Sequence, residues 1–420
     1  MKIKNLLLAG LAVAAMTACS NSEDFVDNSN QPEIKDATMQ FGIAFPQNGT
    51  RAGSGDIQNG ETEVGIANES AFERVTVVIK YTNGSVTALT YPRADFRDEG
   101  TDPNKKTLYL KESIPVTADS PAKVYAFINP SDALKTELEA NKEISDLKAA
   151  NNYTKSLDDL IAKGGIAESG KFLMSGAYSG TKTFIAGTNE KVQIPVDRVA
   201  AKLVERSQTT AFEVKDEKLS ADAPTLTIAL TDYRFVNLQQ DTYILSDKTI
   251  EKNFFEAYRS TASWDNYTAA SKNIIGSTDA TDATNITYCT ENKSETTTNI
   301  LYKAVATWDG GAAETFYVTP DGKVFLSFEA LKENNKIDGL DESSSIADFA
   351  AKGIKKYEDG VCYYQSDKIG TIIRNNVYYL NVTSISHLGD PTPGDPEKMT
   401  TLDLEVAINP WTIHVIGIEL

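Results

Sequence analysis

The 420-residue chain has only three cysteines and two histidines. Three cysteines exclude a disulfide scaffold. Cys19 falls in an export segment, so Cys289 and Cys362 can form at most one bridge; two free, buried thiols are the other reading. His387 and His414 share no metal-ligand spacing with each other or with cysteine. No G-x-S-x-G, P-loop or G-x-G-x-x-G pattern occurs. Basic residues are outnumbered, 41 against 59, for a formal net charge of −18. That balance argues against nucleic acid, whose binding needs Lys and Arg to neutralise phosphates. It suits a protein kept soluble outside the cell. The apolar run at residues 6–16 is about eleven residues long, too short to span a bilayer. The chain therefore reads as not an enzyme, with no cofactor and no metal. Asp98-Glu99 and the Asp338, Asp341, Glu342 group match no EF-hand loop and read as solvated acidic loops. Trp264, Trp308 and Trp411 read as core rather than as a sugar platform.

What is present favours strands. Eighteen Tyr and sixteen Phe accompany many Thr and Val. Met39, Phe41, Ile43 and Phe45 alternate cleanly and predict a strand ended by Pro46. Residues 74–81 and 86–91 flank Asn83-Gly84, a hairpin signal. Further strands are expected over 107–116, 122–128, 172–176, 192–196 and 199–204, the last of which equally opens a second domain. Ser131 is a helix N-cap before Leu134 and Leu138, and Ser156 with Asp159 starts a second short helix. A polar stretch at 207–224 marks a domain boundary. Beyond it, strands are expected over 225–238, 304–308, 315–318, 323–328, 361–365 and 377–385. Ile346, Phe349, Ala350, Gly353, Ile354 and Tyr357 lie on one helical face and predict a helix running to Gly360. Many short strands with turn signals argue for β-sandwiches.

Three segments speak about processing and assembly. Lys2 and Lys4, the apolar run and Met16-Thr17-Ala18-Cys19 resemble a bacterial lipobox, with Cys19 diacylated and made the first residue. Glu23-Asp24 beyond it resembles an acidic surface-export tether of Bacteroidetes-type bacteria; an ordinary secretory signal is the alternative. Residues 47–65, rich in Gly, Asn and Thr, carry Arg51-Ala52 in a setting suited to an Arg-specific protease. The C-terminal stretch, residues 402–420, alternates in three phases: Leu402, Leu404, Val406 and Ile408; then Trp411, Ile413 and Val415; then Ile416, Ile418 and Leu420. Asn409-Pro410 breaks the first phase. Such an apolar stretch needs a pairing partner, within its own fold or in another molecule.

Taken together, several segments resemble the short-fimbria (Mfa-type) fimbrillins, shaft subunits of Bacteroidetes-type (type V) pili. The resemblance is carried by residues 372–389 (IIRNNVYYLNVTSISHLG), the DPTPGDP loop after them, residues 402–411 ending in Asn-Pro-Trp, and Gly360-Val361-Cys362-Tyr363-Tyr364. Residues 173–176 and 196–203 resemble the end of that family's first domain. The resemblance implies a mainly β fold: two transthyretin-like, Greek-key β-sandwich domains with short helical inserts. It implies residues 1–18 as signal peptide, 19–51 as propeptide, 52–207 as the first domain and 208–420 as the second. It further implies an outer-membrane lipoprotein precursor anchored through Cys19. Cleavage at Arg51-Ala52 then removes the strand bearing Met39, Phe41, Ile43 and Phe45. A C-terminal donor strand of another copy, through Trp411, Ile413 and Val415 or through Ile416, Ile418 and Leu420, fills the vacated groove. Its partners are copies of itself, accessory fimbrial subunits and the protease, and its roles are adhesion and biofilm formation. The phase break suggests that residues 402–408 stay in the subunit while residues 409–420 reach outward. The competing readings are an accessory tip or anchor subunit, a surface glycan-binding lipoprotein, and, more distantly, a surface hydrolase.

Overall fold

The computed structural model describes residues 35–46, 63–64, 67–99, 105–140, 143–150, 166–207, 209–236, 238, 241–245, 272–273, 286–291, 298–335, 337–366, 369–393 and 399–412. Among these the fold is mainly β, with few and short helices. Alternation and β-branched content account for the strands. The Arg74–Tyr81 segment, RVTVVIKY, is buried at six of eight positions because it runs down the middle of a sheet.

Two sheets enclose the first core. One orders its strands Asn189–Pro195, Ala37–Pro46, Lys105–Leu110 and Phe96–Asp98, with Ile114–Val116 also paired to Ala37–Pro46. The other runs Asp197–Arg198, Met174–Ala177, Ala122–Ile128, Arg74–Tyr81 and Val86–Pro92. Inward residues of both, such as Phe41, Ile43, Val77, Phe127 and Ile194, form one cluster. The Asn83-Gly84 hairpin forms as expected: Gly84 takes φ +92° and Asn83 Oδ1 accepts from the Ser85 N–H. Ser131 Oγ accepts from Leu134 N–H at 3.2 Å and caps the Asp132–Glu139 helix, which buries Leu134 and Leu138.

A ten-stranded sheet builds the second core. Its order is Ala211–Val214, Leu226–Val236, Asn299–Trp308, Val361–Ser366, Thr401–Thr412, Asn376–Ser384, Ala201–Glu205 and Ile286–Cys289, with Lys272–Asn273 and Glu63–Val64 attached at the side. The sheet folds over itself. Tyr302 and Tyr364 from one half meet Leu203, Tyr378 and Leu380 from the other in a single cluster.

Three strands belong to both cores. Leu203, Cys289, Tyr378 and Leu380 face the second core, whereas Val204, Ile286, Tyr288, Val377 and Tyr379 face the first. A strand buried on both faces has no solvent side, and in Ala201–Glu205 even Lys202 and Glu205 are buried, which is why its sequence shows no inward and outward alternation. By its pairing to Asn376–Ser384 and Ile286–Cys289 it lies in the later sheet, so the sheets change before Ala201 rather than at residue 207.

Some expectations are corrected. The helix expected over 346–357 is five residues long, Ile346–Ala350. Ser345 and Asp348 close a capping box at its start. Gly353, at φ +76°, turns the chain out of the helix, and Lys355–Tyr357 then pairs with Phe316–Val318 as a strand. The apolar positions that mimicked a helical face are split between the two elements. Of the strand expected over 323–328 only Val324–Phe325 forms; Ser327 caps a helix at Phe328–Asn334 instead. Cys289 and Cys362 are free and buried, not bridged. Three strands separate theirs in the sheet. The helix expected from Ser156 lies outside the described residues.

The wall between the cores also buries charge. Lys202 Nζ meets Glu69 Oε1 at 3.0 Å, and Tyr288 donates to the same oxygen at 2.6 Å. Arg198 donates to the Glu69 carbonyl and Ser70 Oγ, and burial pulls its pKa down to about 10 against the pull of Glu69. Arg374 meets Glu291 at 2.7 Å and donates to the Tyr243 and Ile244 carbonyls. Glu205, 1 % exposed, accepts from the Ser207 N–H and hydroxyl. Burial outweighs those bonds and pushes its carboxyl up to about 7.

A raised carboxyl pKa contributes stability that is fully present below the unfolded value and is lost as pH rises through the folded value. Between pH 4.5 and 7 the protein should therefore lose on the order of 3 kcal/mol through Glu205. Glu205→Gln should match the parent in urea denaturation at pH 5 and exceed it at pH 8. Equal stability of the two proteins at both pH values would contradict the assignment.

Candidate functional site

The Ala37–Pro46 strand occupies the middle of its sheet. Residues 38–44 run parallel to residues 189–195, with Phe41 opposite Val192 and Ile43 opposite Ile194. On the other side the strand is antiparallel, with Gly42 opposite Tyr109, Ile43 opposite Leu108 and Met39 opposite Ile114. The flanks pin it further: Gly187 N–H donates to the Asp36 carbonyl, Asp36 Oδ1 accepts from Ala118 N–H, and Val196 N–H donates to the Ala44 carbonyl.

The inward side chains Met39, Phe41, Ile43 and Phe45 are each 0 % exposed. Phe41 packs edge-on to Phe96 with ring centres 6.5 Å apart, and Phe45 lies 6.3 Å from Phe72. Arg93 sits over the Phe72 ring, 5.0 Å from its centre. Burying four such side chains contributes roughly 6–12 kcal/mol as an upper bound. That is about the whole stability of an ordinary domain. Without an occupant the groove between Asn189–Pro195 and Lys105–Leu110 would lose this contribution and expose two unpaired strand edges.

The outward face of the strand is closed as well. Gly42 lies under the Tyr109 ring: a Cβ there would stand 2.6 Å from Tyr109 Cε1. Lys191 Nζ rests 5.0 Å from the centre of that ring. Beside it, Gln193 Nε2 donates to Thr107 Oγ1 at 2.7 Å, a bridge from one wall to the other across the small residues Gly42 and Ala44. Composition and alternation do not show this lid. Its only sequence signal is a glycine inside an apolar strand, the mark of a close approach.

The other expected site residues fall as follows. Thr401–Thr412 is one strand that runs straight through Asn409-Pro410. Asn376 pairs with Pro410, and Trp411 and Thr412 pair with Glu63 and Val64. The proposed break at Asn409 is thus absent from the backbone, and Trp411 is held in the subunit's own sheet. A register shift does occur, but nearer the start of the strand, between Val382 and Ser384 of its partner; from Leu404 to Pro410 the pairing is continuous. Cys19, Arg51, Ala52, Ile413, His414, Val415, Ile416, Ile418 and Leu420 lie outside the described residues, as does Trp264.

His387 bonds Asp216 at 2.9 Å, and Asp216 also accepts from the Leu388 N–H. Burial alone would raise the Asp216 carboxyl; these bonds outweigh it and hold it low. Both residues thereby fix the turn after Asn376–Ser384. Trp308 is buried against Phe316, with ring centres 5.1 Å apart. Asp341 Oδ1 accepts from Ser343 and Ser344, which places it in a local turn.

Residues 355–416 match the family model described as "Major fimbrial subunit protein type IV, Fimbrillin, C-terminal". That range contains every C-terminal segment on which the fimbrillin resemblance rests. Among curated proteins none matches. Solved structures similar to the chain include a candidate cell adhesion protein from Bacteroides eggerthii, at 14% identity and a TM-score of 0.47, covering 91% of this chain and 98% of that one. A fimbrilin from Porphyromonas gingivalis matches at 14% identity and a TM-score of 0.45, covering 91% and 99%. A fimbrial assembly protein from Parabacteroides distasonis matches at 12% identity and 0.40, covering 89% and 98%. At these values the structural likenesses carry no argument by themselves.

The packing of the strand yields a direct test. Phe41→Ala should destabilise the intact chain by about 3–5 kcal/mol, read as a lower midpoint in urea. A change under about 1 kcal/mol would show that the groove collapses without its plug.

Proposed function

We propose that the chain is a structural subunit of a cell-surface fimbria. It is exported as a lipoprotein through Cys19, freed by cleavage between Arg51 and Ala52, and polymerised when a C-terminal strand of one copy replaces Ala37–Pro46 of the next. One observation carries the reading. The strand that fills the centre of the first sheet comes from the segment before Arg51, while every strand it pairs with comes after it. Once the chain is cut there, only hydrogen bonds and burial hold the strand in place.

The consequence is physical. A groove that contributes this much stability when filled does not stay empty, and an extended segment with alternating apolar residues supplies both its main-chain bonds and its plugs. Until cleavage the resident strand blocks the groove and keeps the precursor from polymerising. A donor leaving one copy and entering the next makes a head-to-tail contact that does not close, so the product is a filament. The fimbrillin match over residues 355–416 supports the same assignment. The role is structural, in adhesion and biofilm formation, with accessory fimbrial subunits as further partners, and requires no catalytic step.

The test uses the chain from residue 20 onward. Digestion with an Arg-specific protease should expose Ala52 as the new N-terminus and give an SDS-resistant ladder. Removing residues 413–420, which leaves Thr401–Thr412 intact, should leave folding and cleavage unchanged and abolish the ladder. Cleaved protein that stays monomeric, or a ladder that survives the truncation, would overturn the reading.

A further inference from the structure

The lid over Gly42 sets a condition on any strand that takes this place. The occupant needs apolar residues at the positions of Phe41, Ile43 and Phe45 and no side chain between the first two, where the Tyr109 ring lies. The resident sequence there is Phe41-Gly42-Ile43-Ala44-Phe45. The C-terminal stretch contains one segment of the same form, Ile416-Gly417-Ile418-Glu419-Leu420.

We propose that the donor enters in this register: Ile416, Ile418 and Leu420 take the places of Phe41, Ile43 and Phe45, and Gly417 lies under Tyr109 of the receiving copy. The proposal rests on the strand-exchange reading above and specifies its register.

Three further observations agree. Trp411 and Thr412 are paired through the backbone with Glu63 and Val64 in the subunit's own sheet, so a donor in the phase through Trp411 would first have to give up that pairing. That phase would also put Thr412 or His414 against the Tyr109 ring, depending on its register. In the proposed register, Glu419 falls at Ala44, beside Thr107 and Gln193. Their hydroxyl and amide are both donors, which a carboxylate accepts.

Polarity follows from the walls. A donor running the same way as the resident strand reuses the parallel ladder to residues 189–195 and the antiparallel ladder to residues 105–110. The opposite direction would give up both ladders; His414 takes an inward place in either case, that of Met39 in the proposed direction and that of Phe45 in the reverse. The donor's plugs are also smaller than those they replace, Ile for Phe41 and Leu for Phe45. Exchange is therefore driven by dilution of the released strand rather than by tighter packing.

The experiment compares ladders after Arg-specific cleavage of full-chain variants. Gly417→Val should cut the ladder at least tenfold while folding and cleavage stay as in the parent, because the precursor keeps its own strand. Tyr109→Ala in the same chain should restore the ladder. Ile413→Asp, which falls at the outward, half-buried place of Thr38, should polymerise normally. Excess synthetic peptide of residues 36–46 should suppress the ladder of the parent. Parent-like polymerisation of Gly417→Val, failure of Tyr109→Ala to rescue it, or loss of the ladder in Ile413→Asp would overturn the register. Truncation at residue 413 distinguishes this from failure of strand exchange: a ladder that survives it refutes the exchange itself.

Discussion

Everything in the first half of the molecule depends on the pairing of Ala37–Pro46 between two walls that do not pair with each other. Asn189–Pro195 stands on one side and Lys105–Leu110 with Ile114–Val116 on the other. The strand supplies the hydrogen bonds that join them, and its four inward side chains supply the centre of the core. A central strand is the costliest element of a sheet to lose, because two edges are exposed at once. In sequence that element is followed directly by a Gly-rich segment that carries Arg51.

The second half takes no part in that dependence, and the wall between the cores explains why. Ala201–Glu205, Ile286–Cys289 and Asn376–Ser384 bury both faces. Charged residues are held across the junction: Lys202 by Glu69, and Arg198, just ahead of Ala201–Glu205, by Asn375 and the carbonyl of Glu69. Breaking such a pair is costly, since the remaining partner stays buried and charged. Asp241–Tyr243 adds a second tie by pairing with Lys148–Ala150. Removal of the first strand would therefore leave the two cores joined, because none of these ties runs through it.

Much of this was legible in the chain. The period-two pattern of Met39, Phe41, Ile43 and Phe45 marked a buried strand, Asn83-Gly84 marked the hairpin between Arg74–Tyr81 and Val86–Pro92, and Ser131 marked the cap of Asp132–Glu139. The signals are local, so local reading finds them. What failed was non-local. The helical face from Ile346 to Tyr357 dissolved because Gly353 takes a left-handed turn and Lys355–Tyr357 finds a partner forty residues earlier in the chain. The break at Asn409-Pro410 was real in side-chain phase but not in backbone pairing, since Asn376 receives the strand at Pro410 regardless. The lid of Tyr109, Lys191, Gln193 and Thr107 was invisible, because it joins residues more than eighty positions apart over a glycine that sequence marks only as unusual.

The central claim is that Ala37–Pro46 is exchanged for a strand from another copy. Hydrogen exchange read by mass spectrometry on the isolated SDS-resistant polymer tests it most directly. The account predicts that peptides from residues 37–46 are missing, that amides of 108–110 and 192–194 keep the slow exchange they show in the precursor, and that amides of 413–420 become slow on polymerisation. Recovery of residues 37–46 from the polymer, still slow to exchange, with residues 413–420 exchanging as fast as in the monomer, would contradict it.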